Sequence, residues 1–84
     1  MKILLFGITR DIVGNSSLII SKDHSLSKQI PKNIGELRKL LIENYPEFGK
    51  LSSLRFALNK EFVEDKSQIN SSDEIALIPP VSGG

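Results

Sequence analysis

Residues 2–9, Lys-Ile-Leu-Leu-Phe-Gly-Ile-Thr, restrict the fold more than any other stretch of the chain. The run is too short for a stand-alone buried helix and suits a strand. Read as a strand, it puts Ile3 and Leu5 on one face and Leu4, Phe6 and Ile8 on the other. A strand apolar on both faces needs cover on both, permanently or when a partner arrives. Glu74–Ile78 is a second strongly apolar strand near the other end. Both segments therefore belong in the centre of one sheet.

The remaining elements fit around that pair. Thr9–Asn15 reads as a turn or short helical segment stopped by Gly14-Asn15, and Ser17–Lys22 as a second strand close enough for a hairpin. Asp23–Lys32 is polar, contains Pro31, and is expected to be a loop. Asn33 with Glu36 three residues on has the form of a capping box. Ile34, Leu37, Leu41 and Tyr45 follow at helical spacing with Leu40 alongside, Ile42 falls off that stripe, and Pro46 ends the helix. Leu54–Asn59 is a third strand, Lys60-Glu61 a turn in which Asn59 can take positive φ, and Phe62-Val63 a short fourth strand. One helix on a mixed sheet of four or five strands is an α+β, two-layer solution that leaves one sheet face without a helix. With no repeat, low-complexity block or linker, residues 1–84 read as a single domain with 79–84 as a protruding tail.

Composition excludes several functions. The chain has no cysteine and one histidine, His24. Disulfides, thiolate zinc sites, histidine clusters and His-based triads are therefore out, and no metal site is expected. Eleven Lys plus Arg against ten Asp plus Glu give +1, no electrostatic footprint for nucleic acid or an anionic membrane. No apolar run approaches the roughly 18 residues of a membrane span. Met1–Arg10 has only about seven apolar residues and no small-residue cleavage site, so no signal peptide is expected. A chain of 84 residues buries little more than about 60 % of its extended surface and has scant packing to give up to a cavity. The expectation is a cytoplasmic domain without a self-contained active site, presenting a surface or a terminus.

The terminus is distinctive. After the last strand come Pro79-Pro80-Val81-Ser82-Gly83-Gly84. Two prolines fix φ, remove backbone donors and keep the tail from folding back into the sheet. Six residues can reach up to about 20 Å, at roughly 3.3 Å each. Gly83 and Gly84 carry no side chains, so this end can enter a channel too narrow for other residues.

In three stretches the chain resembles the small subunits of molybdopterin synthases, ubiquitin-like β-grasp sulfur carriers. These are Leu5-Phe6 with Arg10–Gly14, Ala57–Val63, and Asp73–Gly84, whose Pro-Pro-Val-Ser-Gly-Gly ending is the most specific. The departure is the loop 23–32, which is longer and more polar than the usual connection. The resemblance implies a β-grasp fold and a reactive carboxylate on Gly84, with Gly83 beside it. A carboxylate is ionised at neutral pH and a poor electrophile. The family activates it with ATP, as a transient acyl-adenylate formed on a separate ubiquitin-activating-like adenylyltransferase. A persulfide sulfur from a donor protein then displaces AMP and leaves a thiocarboxylate. With no cysteine to carry a persulfide, the terminus is the evident carrier. The resemblance further implies that this sulfur goes to a pterin precursor held by the large synthase subunit, which supplies the catalytic groups, in a heterotetramer of two small and two large subunits. No permanently bound cofactor is implied.

By the same resemblance, Phe6, Phe62 and Ile78 form the apolar patch that docks on the large subunit and on the activating enzyme, Arg10 contacts a partner, and Pro79, Pro80, Val81 and Ser82 carry the tail into it. Two other uses of the same ending stay open at the level of sequence. A ubiquitin-type modifier would join Gly84 to a lysine, and a sulfur carrier for thiamine or tRNA thiolation would hand the sulfur to another acceptor.

Overall fold

The computed structural model describes residues 1–20, 30–51 and 53–79. In chain order it contains β1 (Lys2–Leu5), α1 (Ile8–Val13), β2 (Ser17–Ile19), α2 (Ile34–Asn44), a 3-10 turn at Pro46–Lys50, β3 (Arg55–Leu58), β4 (Glu61–Val63) and β5 (Glu74–Ile78). The strands lie in the order β2-β1-β5-β3-β4. β1 runs parallel to β5, and the other three pairings are antiparallel. This is the β-grasp arrangement expected from the sequence, with both strongly apolar segments inside the sheet.

Strand alternation sorts the side chains cleanly. Ile3, Leu5, Ile75, Leu77 and Phe56 face one way and are almost fully buried. They pack with Ile34, Leu37, Leu40 and Leu41 of α2, and Phe48 of the 3-10 turn completes the core. The helical stripe read from spacing is thus the stripe that is buried. Ile42 lies outside it, partly buried beside Gly49, whose added Cβ would sit 3.6 Å from Ile42 Cγ2.

The start of α2 satisfies all its early N–H groups, which an isolated helix end leaves without partners. Ile34 N–H donates to the Ser67 carbonyl at 3.0 Å, Gly35 N–H to Asp65 at 2.7 Å and Leu37 N–H to Asn33 at 3.1 Å. Glu36 N–H donates to Asn33 Oδ1 at 2.8 Å, the cap predicted from the sequence. The return arm differs from an ideal capping box, because Glu36 Oε1 accepts from Lys32 N–H at 3.3 Å rather than from Asn33 N–H. Arg38 ties the same connection down, with Nη2 2.8 Å and Nε 3.2 Å from the Asp65 carboxylate. Its guanidinium also lies 4.7 Å from the centroid of Phe56.

One expectation about β1 needs correction. The strand ends at Leu5 and Ile8 opens α1, while Thr9 lies in the short helical segment read from the sequence, which Gly14 caps. The cause is Gly7, at φ 56° and ψ −130°, which turns the chain at the first corner of a type II′ turn closed by Thr9 N–H to the Phe6 carbonyl at 3.1 Å. The β3–β4 connection is a tight hairpin with both Asn59 (φ 48°) and Lys60 (φ 76°) in the left-handed region, as a type I′ turn requires. Positive φ at Asn59 was foreseen, and Lys60 shares it. No helix among the described residues is long and apolar enough to cross a membrane.

Candidate functional site

The sheet face turned away from α2 carries the candidate site. Register lines its side chains up in rows. Leu4 stands opposite Ala76, Ala76 opposite Ala57, and Ala57 opposite Phe62, a row that runs across four strands. In the next row toward the chain end, Ile78 is opposite Arg55. Where two alanines meet in mid-sheet, the surface sinks into an open groove of about 350 Å³. Leu4, Phe6 and Ile78 bound it on one side and Phe62 on the other, and Lys60 and Glu74 lie at its far end.

Phe6 is 48 % exposed and Phe62 57 % exposed, large apolar side chains held in water at the edge of a depression. The geometry brings together Phe6, Phe62 and Ile78, the three residues picked out as an apolar patch. Arg10 does not line this groove; it sits exposed on α1 and forms no ion pair with another described residue. Pro79 follows Ile78 at the edge of the patch. Pro80, Val81, Ser82, Gly83 and Gly84 lie outside the described residues, as do His24 and most of the 23–32 loop.

Several contributors were not singled out from the sequence. Thr9 is fully buried, and its hydroxyl both accepts from Phe6 N–H at 2.8 Å and donates to the Phe6 carbonyl at 2.6 Å. That pair of hydrogen bonds holds the Phe6 backbone from which the exposed ring projects. Gly7 abuts the root of the tail: a Cβ there would lie 3.2 Å from Pro79 Cγ. A glycine closing an apolar strand is the signal that marks such a spot. Arg55 lays its guanidinium carbon 4.0 Å from the centroid of Phe62. The alanine floor had a sequence signal only in hindsight of register, since Ala57 and Ala76 are 19 positions apart.

A β-grasp domain with an apolar groove at the root of a Gly-Gly tail is the architecture of ubiquitin-like carriers. The chain belongs to the ThiS family, whose model matches residues 3–84. It is 40 % identical over 86 residues to a molybdopterin synthase sulfur carrier subunit of Dictyostelium discoideum, a match that takes in 99 % of this chain and 94 % of that one. It is 32 % identical to the subunit of the same name from Arabidopsis thaliana, over 100 % of this chain and 82 % of the relative. Among solved structures it resembles small archaeal modifier protein 1 of Methanosarcina acetivorans, with a TM-score of 0.77 at 22 % identity, covering 99 % and 94 % of the two chains. It also resembles a chain of the complex of subunits 1 and 2 of the molybdopterin-converting factor from Helicobacter pylori, with a TM-score of 0.63 at 24 % identity, covering 99 % and 96 %.

Proposed function

We propose that this chain is the sulfur carrier subunit of a molybdopterin synthase and that Gly84 is its working residue. The observation that carries the reading is the 40 % identity, over nearly all of both chains, to a subunit of that name. The chemistry follows from a carboxylate that must be made electrophilic. ATP converts the Gly84 carboxylate to an acyl-adenylate with release of pyrophosphate, on a separate activating enzyme. The outer sulfur of a donor protein's persulfide then attacks the acyl carbon and AMP leaves, giving an acyl disulfide. A second thiol cleaves its S–S bond, which frees the thiocarboxylate and leaves a disulfide between the two thiol partners. The resulting thiocarboxylate passes its sulfur to the pterin precursor on the large subunit, which supplies the acid and base groups of that step. Gly83 leaves the approach to the acyl carbon unobstructed.

In this reading the groove between Phe6, Ile78 and Phe62 is the docking surface for the large subunit. Pro79, Pro80, Val81 and Ser82 lead the tail from that surface to the reaction centre, and Arg10 on α1 makes a contact at its margin. Subunits 1 and 2 of the Helicobacter pylori converting factor were solved as a complex, which supports a two-subunit assembly here. Two small and two large subunits would make up the whole. The reading puts the protein in the cytoplasm, where ATP for the activation step is at hand.

Deletion of Gly84 tests it. The shortened chain should keep its circular dichroism spectrum and melting temperature yet yield no pyrophosphate when mixed with the activating enzyme and ATP, and no product when a persulfide donor, a thiol, the large subunit and the pterin precursor are added. Product formation by the shortened chain at the full rate would overturn the assignment of Gly84.

A further inference from the structure

The groove has a charged margin that its apolar lining does not account for. Arg55 projects on the open face opposite Ile78, in the row nearest the tail. Its guanidinium carbon stands 4.0 Å from the Phe62 centroid, a cation laid on the ring face. It forms no side-chain hydrogen bond or ion pair with another described residue. Glu64, one residue beyond Val63 on the neighbouring strand, has its carboxylate 3.8 Å from Lys66 instead. Arg38 makes an instructive contrast: it also lies over a phenylalanine, but its fork is filled by Asp65 at 2.8 Å.

An arginine presents five N–H donors in a planar fork suited to a carboxylate. Stacking on Phe62 covers one face of that plane and restrains the side chain, so little rotamer freedom remains to be lost when an acceptor arrives. The donors at the rim of the plane stay open. We propose that Arg55 is a specificity-determining residue, which receives a carboxylate from the same partner segment that seats a large apolar side chain over the Ala57–Ala76 floor. The occupant is thus an acidic-apolar segment, read with its acid toward the tail and its apolar anchor in the middle of the sheet. Arg55 sets its direction: the carboxylate meets an open guanidinium at the tail end, whereas the far end of the groove carries both Lys60 and Glu74, whose opposite charges give an acid no net pull. Phe62 then has two tasks, one wall of the groove and the platform for the cation. This inference rests on the docking role of the groove proposed above.

The test measures binding of the large synthase subunit from the same organism by calorimetry, at low and at high salt, to the whole chain and its variants. Arg55→Met keeps an apolar stem on Phe62 and removes the fork; we expect about tenfold weaker binding and a flatter dependence on salt. Arg55→Lys retains the charge without the fork and should fall between, whereas Arg55→Glu should bind more weakly than Arg55→Met. Circular dichroism and melting should be unchanged in all three; if Arg55→Met melts early, Arg55→Gln supplies the same comparison. Unchanged affinity and salt slope in the Arg55 variants, with binding lost in Phe62→Asp, would overturn the role of Arg55 and leave the groove standing. Unchanged affinity in Phe62→Asp as well would overturn the docking surface itself.

Discussion

Gly7 leaves Pro79 room that no other residue would leave: a Cβ built on the glycine would stand 3.2 Å from Cγ of the proline. Gly7 also holds φ 56° and ψ −130°, a conformation that residues with a Cβ adopt at a cost of about 1–3 kcal/mol. Both facts concern the same spot, the root of the tail. Gly7→Ala should therefore lower stability by about 1–3 kcal/mol in urea titration. It should also displace Pro79, so that sulfur delivery falls further than the folded fraction does. An unchanged midpoint would mean that the turn relaxes without strain.

Phe62 is more than half exposed, so its removal costs the fold little. Phe62→Asp should melt within about 0.5 kcal/mol of the parent, as surface changes do, and fail to co-elute with the large subunit. Loss of the circular dichroism signal would instead make Phe62 part of the core.

The alanine floor gives a complementary variant that adds atoms rather than removing them. Ala76 lies between Leu4 and Ala57 on the open face, where solvent leaves room for a longer side chain. Ala76→Leu should keep the melting temperature near that of the parent while filling the groove, and weaken docking by more than about tenfold. Equal affinity would show that no partner group enters there.

Thr9 tests how Phe6 is held. Thr9→Val keeps the shape but removes the hydroxyl that bonds both Phe6 N–H and Phe6 carbonyl. A loss of about 1–3 kcal/mol is expected, together with weaker docking because the Phe6 backbone that carries the ring is no longer held. Stability equal to that of Thr9→Ser would rule out those bonds as the cause.

The sequence made the framework legible because the controlling signals are local or periodic. Two strongly apolar segments imply central strands, and β1 and β5 are adjacent inside the sheet. The stripe of Ile34, Leu37 and Leu41, opened by Asn33 with Glu36, implied α2 and its buried face. The patch of Phe6, Phe62 and Ile78 came from resemblance, and register explains why three residues so far apart in sequence meet. What was not legible depends on pairing across strands. Nothing local to Arg55 says that its guanidinium rests on Phe62, and nothing local to Ala57 says that Ala76 faces it. The early end of β1 is not legible because Phe6 and Ile8 continue the apolar alternation, while a single glycine at positive φ turns the backbone out of the sheet.

The central claim, that sulfur is carried on Gly84, is tested most directly by the intact mass of the chain after incubation with its activating enzyme, ATP, a persulfide donor and a thiol. The account predicts a gain of about 16 Da, oxygen replaced by sulfur, that maps to the last residue and is absent without ATP. No gain under those conditions, with the chain recovered instead as conjugates on lysines of other proteins, would contradict it.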